Sequence, residues 1–297
     1  MKVLITGAHG KVGRAATQAL LAAGHDVLAT DLTRPGFERR EPGTASYRMA
    51  DLTQAGDAFA LVSGMDAVVH VAAIPEPTGN PAHVVFHNNL MATFNVLEAA
   101  VRFGVKRFVN ISSETVPGFF FPERPFLPEY APVDEEHSIH PQDPYALSKF
   151  FGEKLMDAAV ERSEIRCISI RPSWVQNEEI YERNLGPQVR DASVLSPNLW
   201  SYIDAYDLAD AIVLATESEL PGHEVFYIAS PDNVGGRDFG EILKKYYGDQ
   251  IELRPTDRPD ASGISSAKAQ RLLGWTPKRS WRDYLDEEGK ALPHKAE

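Results

Sequence analysis

Short apolar runs alternate with longer segments of helical period through the first 172 positions of the chain. KVLIT (2–6) centres on the apolar run Val3-Leu4-Ile5, the signature of a strand buried on both faces. GRAATQALLAAG (13–24) then carries small and apolar residues at helical spacing and stops at Gly24. HDVLATD (25–31), DAVVHVAA (66–73), KRFVNISS (106–113) and IRCISIRP (165–172) repeat the strand pattern. NNLMATFNVLEAAVRFG (88–104) and DPYALSKFFGEKLMDAAVE (143–161) repeat the helical one. Strands alternating with long helices predict an α/β fold, a doubly wound parallel sheet covered on both faces and joined by right-handed crossovers. Past Pro172 the pattern turns irregular, with polar stretches at 176–200 and 229–263. The expected division is a sheet domain over 1–172, rejoined by 202–228, and a small C-terminal substrate lobe built from 173–201 and 229–297.

Composition narrows the setting. The 297 residues are 43% hydrophobic, enough for a core without covalent staples. Cys167 is the only cysteine, so no internal disulfide forms, which fits a reducing, cytoplasmic compartment. A net charge of −12 argues against nucleic acid or an anionic membrane as partner. The apolar start at Val3 ends at Thr6-Gly7, and His9 and Lys11 stand where a signal peptide would continue. No apolar stretch approaches the roughly 20 residues of a membrane span.

The glycines at 7, 10 and 13 follow a strand and open a helix. Gly7 suits a tight turn, Gly10 lets backbone N–H groups approach a pyrophosphate, and Gly13 lets the helix pack close. The helix N-terminus adds partial positive charge facing those phosphates. The second strand ends in Asp31, whose carboxylate can accept from a ribose diol and would repel a 2′-phosphate. This pattern points to a Rossmann-type NAD site. Arg34, three residues on, is the one feature that favours NADP. Asp51-Leu52 closes an apparent third strand, facing an adenine or capping the next helix.

Tyr145-Ala-Leu-Ser-Lys149 sets a phenol and an ammonium one helical turn apart on one face. Asp143 is placed to cap this helix, with Pro144 in its first turn. A nearby ammonium and a nicotinamide cation both favour phenolate, moving Tyr145 toward acid–base competence. Ser113, at the end of an earlier strand, is placed to bond the same substrate oxygen.

These features make the chain resemble the extended short-chain dehydrogenase/reductase family, which includes nucleotide-sugar epimerases, dehydratases and sugar dehydrogenases. The resemblance rests on Thr6-Gly7-x-x-Gly10-x-x-Gly13, HVAA (70–73), NLMATFNVLEAA from Asn89, ISSETVPG (111–118) and YALSK (145–149). RPS (171–173), YIDAYDLADA (202–211) and LGWTPKRSW (273–281) extend it toward the C-terminus. It implies Ser113, Tyr145 and Lys149 as the catalytic set, with Asn89 supporting the relay. It also implies cofactor contacts from His9, Lys11 and Val12 beside the glycines, Leu32 beside Asp31, and Asp51 and Leu52. Val71, Ala72, Ala73, Ile111, Ser112, Pro172 and Ser173 complete that set. A homodimer built on 88–104 and 143–161 follows from the same resemblance, since Leu90, Phe94, Phe150 and Phe151 exceed what one buried stripe needs.

Departures from the family narrow the reaction. Dehydratases follow the serine or threonine with Asp-Glu; here Ser113 is followed by Glu114-Thr115, so the second acid is absent and dehydration is set aside. Nucleotide-sugar epimerases hold the diphosphate with an Asn after the late strand and an Arg before the next; the matching positions are Trp174 and Trp200. The expectation is a dehydrogenase for a small sugar, sugar acid or polyol, closest in character to the sugar and sugar-acid dehydrogenases. The alternatives are a nucleotide-sugar 4-epimerase and a non-catalytic NAD(H) sensor. Pro75, Ser113, Glu114, Thr115, Trp174 and Trp200 are candidate substrate contacts; Arg183 and Arg190 either hold a substrate carboxylate or face water. GFFFPERPFLPEYAP (118–132) is either a loop packed down by its own phenylalanines or a wall over the nicotinamide. His83 and His87 have helical metal-pair spacing without a third ligand and read as a solvated face, so no metal is expected. Glu135, Glu136 and His137 read as a charged loop.

Overall fold

A computed structural model describes residues 1–33, 43–191 and 193–293; Arg34 lies outside the described residues. The first half runs β1 (Lys2–Thr6), α1 (Lys11–Ala22), β2 (Asp26–Asp31), β3 (Ser46–Met49), α2 (Ala55–Val62), β4 (Ala67–His70), α3 (Ala82–Arg102) and β5 (Arg107–Ile111). After the short β6 (Tyr130–Ala131) come α4 (Pro144–Arg162), β7 (Arg166–Pro172), β8 (Val175–Gln176), α5 (Tyr181–Arg190), β9 (Ile203–Asp204), α6 (Ala205–Glu217) and β10 (His223–Ile228). The chain then forms α7 (Phe239–Tyr247), β11 (Glu252–Leu253) and α8 (Ala267–Leu273).

Seven strands make the expected parallel sheet, in the order β10-β7-β5-β4-β1-β2-β3. Strand order reverses between β1 and β4, so the crevice for a ligand opens at their carboxyl ends. Alternation along each strand divides its side chains between two cores. Val3 and Ile5 of β1 face the side covered by α1 and α6, whereas Leu4 faces α2, α3 and α4. Val69 and Val68 of β4 divide the same way. A third core fills the C-terminal lobe, around Tyr181, Leu185, Trp200, Phe239 and Leu243. Among the described residues, no helix is long and apolar enough to cross a membrane.

Several boundaries differ from the sequence pattern. α3 starts at Ala82 rather than 88, because its first turns leave His83, Val84 and His87 in solvent and give no apolar stripe. β3 ends at Met49, before Asp51. α5 escaped notice because Gly186 and Pro187 stand inside it; the glycine is needed, since a Cβ there would lie 2.4 Å from the Gly289 carbonyl oxygen. The 118–132 loop is pinned by its own rings: Phe119 and Phe120 stack at 4.4 Å within the lobe core, while Phe121 is exposed. Nor is the 135–137 loop merely charged. Glu135 accepts from the Tyr227 N–H of the edge strand, and buried His137 accepts from the Glu129 N–H. Helix α8 and Trp275 pack into the first core rather than the lobe.

Candidate active site

The crevice begins at the glycine loop. Gly7 has φ +65, and a Cβ on it would stand 2.7 Å from the Ala72 nitrogen. A Cβ on Gly13 would lie 2.1 Å from the Gly7 carbonyl oxygen, so α1 can approach the loop only with glycine there. Gly10 is different: its Cβ would meet only the Gly7 oxygen, at 3.4 Å, leaving that side of the backbone approachable. Helix α1 starts from Gly10 without a side-chain cap. Loop and helix end therefore fit a diphosphate. Lys11, the first helical residue, donates to the Val175 carbonyl 2.8 Å away. Burial and the charge of Arg183 both lower its pKa. Arg183 itself is exposed on α5, its Nε donating to Asn184 Oδ1 at 3.4 Å.

Asp31 ends β2 with its carboxylate accepting from the N–H groups of His9 (3.0 Å) and Leu32 (2.8 Å). Thr6 ties β1 to the loop after β4, accepting from the N–H groups of Val71 and Ala72. Asn89 fixes the next residues, accepting from the Ile74 N–H and donating to the Ile74 carbonyl and Ser148 Oγ. Pro75, next in the chain, is exposed. Asp51 corrects its expected helix-capping role. Its Oδ1 accepts from the Thr53 N–H and hydroxyl in a local turn, while Gln54 precedes α2. Leu52 is buried, and its carbonyl accepts from Asn95.

Ser113, Tyr145 and Lys149 converge at the end of β5 and the start of α4, each 8% exposed or less. Asp143 caps α4 as expected, accepting from the N–H groups of Tyr145 and Ala146. Ser113 Oγ accepts from both the N–H and the hydroxyl of Thr115, at 3.1 and 3.0 Å. Its own proton then remains free for the Tyr145 phenol, whose ionisation Ser113 favours. Thr115 therefore orients Ser113. Lys149 Nζ donates to the Ile111 carbonyl at 2.7 Å and stands 5.7 Å from the Tyr145 ring centre. Burial lowers the ammonium to about 8, opposed by the charge of Glu153. Burial pushes the phenol up to about 12, against the Ser113 bond and with help from Glu114 and Asp143. The sequence suggested that Lys149 and a nicotinamide cation together would bring Tyr145 toward phenolate; within the chain alone, desolvation dominates.

Two buried features were missed. Glu153, one turn beyond Lys149, forms a bidentate pair with Arg171 at 2.8 and 2.7 Å and accepts from Ser112 Oγ at 2.6 Å. Both charged side chains are under 5% exposed. An arginine inside the apolar run IRCISIRP was the available signal, since a buried charge requires a partner. The second surrounds Glu114, which the sequence singled out only as a candidate substrate contact. Its N–H donates to the Pro172 carbonyl, and its carboxyl accepts from Ser173 Oγ (2.6 Å) and Asn198 Nδ2 (3.5 Å). Burial pushes Glu114 up to about 8 despite those bonds.

The remaining expected contacts separate. The hydroxyls of Ser112 and Ser173 donate to Glu153 and Glu114, each at 2.6 Å. Trp200 is 1% exposed in the lobe core beside Tyr246 and Tyr247, so it is a core ring rather than a pocket wall. Trp174 is half-buried against that core. Arg190 is exposed and donates from Nη1 to the Glu288 carbonyl at 3.3 Å.

The sequence signature of the NAD dependent epimerase/dehydratase family matches residues 3–229. The chain is 27% identical to the UDP-glucose 4-epimerase of Corynebacterium glutamicum over 94% of its own length and 92% of that protein. It is 28% identical to the uronate dehydrogenase of Pseudomonas syringae pv. tomato, over 57% of its length and 58% of that protein. A short-chain dehydrogenase/reductase superfamily protein from Agrobacterium tumefaciens, solved with bound NAD, superposes with a TM-score of 0.71 at 22% identity. That match covers 95% of this chain and 94% of the other.

Proposed function

The chain belongs to the NAD dependent epimerase/dehydratase family, and from that premise we propose that it is an NAD-dependent dehydrogenase of a small sugar, sugar acid or related polyol. The observation that carries this reading over an epimerase is Trp200. Where the family resemblance puts a diphosphate-gripping arginine in nucleotide-sugar epimerases, this chain buries an indole in the lobe core.

In this reading Gly7, Gly10, Gly13 and the N-terminus of α1 hold the cofactor diphosphate, Asp31 the adenosine ribose and Lys149 the nicotinamide ribose. NAD, when bound, accepts the hydride and brings a positive ring beside the phenol. Tyr145 as phenolate takes the substrate hydroxyl proton while the carbonyl forms, so the carbon loses a hydride and the oxygen a proton. Ser113, oriented by Thr115, holds that oxygen. Lys149 keeps one N–H on the Ile111 carbonyl and has two others for ribose hydroxyls. Ser113, Tyr145 and Lys149 meeting in one buried corner supports catalysis over a sensor role.

A nucleotide-sugar epimerase is the second reading, favoured by alignment along 94% of the chain with an enzyme of that name. Incubation with NAD and a panel of free and UDP-linked sugars separates the two. Net reduced nicotinamide from a free sugar supports the dehydrogenase; isomerised UDP-glucose without it overturns that assignment.

A homodimer across α3 and α4 belongs to the same proposal. Phe94 and Phe151 are 39% and 43% exposed there, with Leu90, Met91 and Phe150 half-buried beside them. Light scattering at micromolar concentration should give twice 32.8 kDa; the single-chain mass would refute it.

A further inference from the structure

Beside Asp31 a closed set of contacts involves a residue that the cofactor reading leaves unused, Tyr47 of β3. Its ring stacks on the His9 ring with centroids 4.9 Å apart and planes within 2°. His9 is tied to Asp31 through its backbone N–H, and its Nδ1 lies 3.2 Å from Thr33 Oγ1. The Tyr47 hydroxyl in turn donates to the Thr33 carbonyl. Three side chains from the glycine loop, the end of β2 and the neighbouring strand thus interlock within two residues of the ribose-binding carboxylate. Burial pushes the Tyr47 phenol up to about 12, and the charge of Asp31 adds to that rise.

We propose that the His9–Tyr47 stack is a second determinant of cofactor choice, a plate that excludes a 2′-phosphate from the adenosine ribose held by Asp31. The inference rests on the NAD reading above and adds shape to charge. Asp31 repels a phosphate, whereas the stacked rings occupy space that three further oxygens and their counter-charge would need. Thr33 fixes both rings, so the plate cannot swing aside without losing its bonds. The imidazole thereby gains a purpose at a loop position that backbone geometry leaves free.

Calorimetric titration of the full chain with ADP-ribose and 2′-phospho-ADP-ribose tests this without turnover. The wild type should bind ADP-ribose at least a hundredfold more tightly. Tyr47→Ala and His9→Ala, both at half-buried positions, should each shrink that ratio at least fivefold, chiefly by strengthening the phosphorylated probe. If both variants weaken the two probes equally, the stack is merely structural and the inference fails while the NAD reading stands. It fails in the same way if only Asp31→Ala alters the ratio. A wild type that prefers the phosphorylated probe overturns both. If Tyr47→Ala does not fold, His9→Ala decides alone.

Discussion

Glu153→Gln removes one charge from the Arg171 pair and keeps the side-chain shape. Both partners are almost fully buried, joined by two short bonds, and Glu153 also serves Ser112. Breaking a buried pair from one side strands the other charge and costs about 3–5 kcal/mol. At about 2–4 °C per kcal/mol for a chain of this order of size, the midpoint should fall by roughly 6–20 °C. Replacing both partners, as Glu153→Leu with Arg171→Met, should recover part of that loss because no charge is left unpaired. Chemistry should respond as well. The Glu153 charge supports the Lys149 ammonium, which burial has lowered to about 8. Without it Lys149 loses its proton at still lower pH, so the alkaline fall of kcat/KM should move down by about one pH unit. Thermal unfolding and pH–rate profiles of the three proteins check both parts. A midpoint within about 3 °C of wild type, or a double variant no more stable than the single one, would refute the reasoning.

Tyr145→Phe should lower kcat by about 10²–10⁴ while NAD affinity, read by fluorescence titration, changes little, because only the acid–base hydroxyl is removed. Near-normal turnover would exclude Tyr145 from that role. Asp31→Ala should raise kcat/KM with NADP relative to NAD; an unchanged ratio would remove Asp31 as the ribose discriminator. Glu114 gives a pH signature. Its carboxyl is raised from 4.5 to about 8 on folding, so its contribution is present below pH 4.5 and lost as pH rises through 8. The span of that shift sets a ceiling of about 5 kcal/mol. Glu114→Gln keeps a neutral side chain and should gain on the wild type in melting temperature between pH 5 and 8; a constant gap would contradict the buried neutral acid.

Much of the sheet and the cofactor loop was legible because both rest on local signals. Apolar runs marked β1, β2, β4, β5 and β7, and Gly7 and Gly13 occupy positions where any Cβ would strike backbone. Asp143 and Tyr145 were legible for the same reason, since a cap and a helical turn are short-range features. What escaped depends on distant pairing. The partners of Glu114 lie 59 and 84 positions away, at Ser173 and Asn198, and no period in the sequence links them. Trp200 read as a pocket wall because aromatic rings suit either a sugar or a core. Its place among Tyr246, Tyr247 and the helices of the lobe is set by packing alone.

Hydride bookkeeping in a single turnover tests the central claim most directly. The protein is mixed with stoichiometric NAD and, in separate reactions, a free sugar or UDP-glucose carrying deuterium at the carbon to be oxidised, then quenched, and cofactor and sugar are weighed by mass spectrometry. The account predicts one deuterium in the reduced cofactor for each oxidised sugar formed, and none of either with Tyr145→Phe on the same timescale. Deuterium found only in an isomerised UDP-sugar, with the cofactor back in its oxidised form, would contradict it.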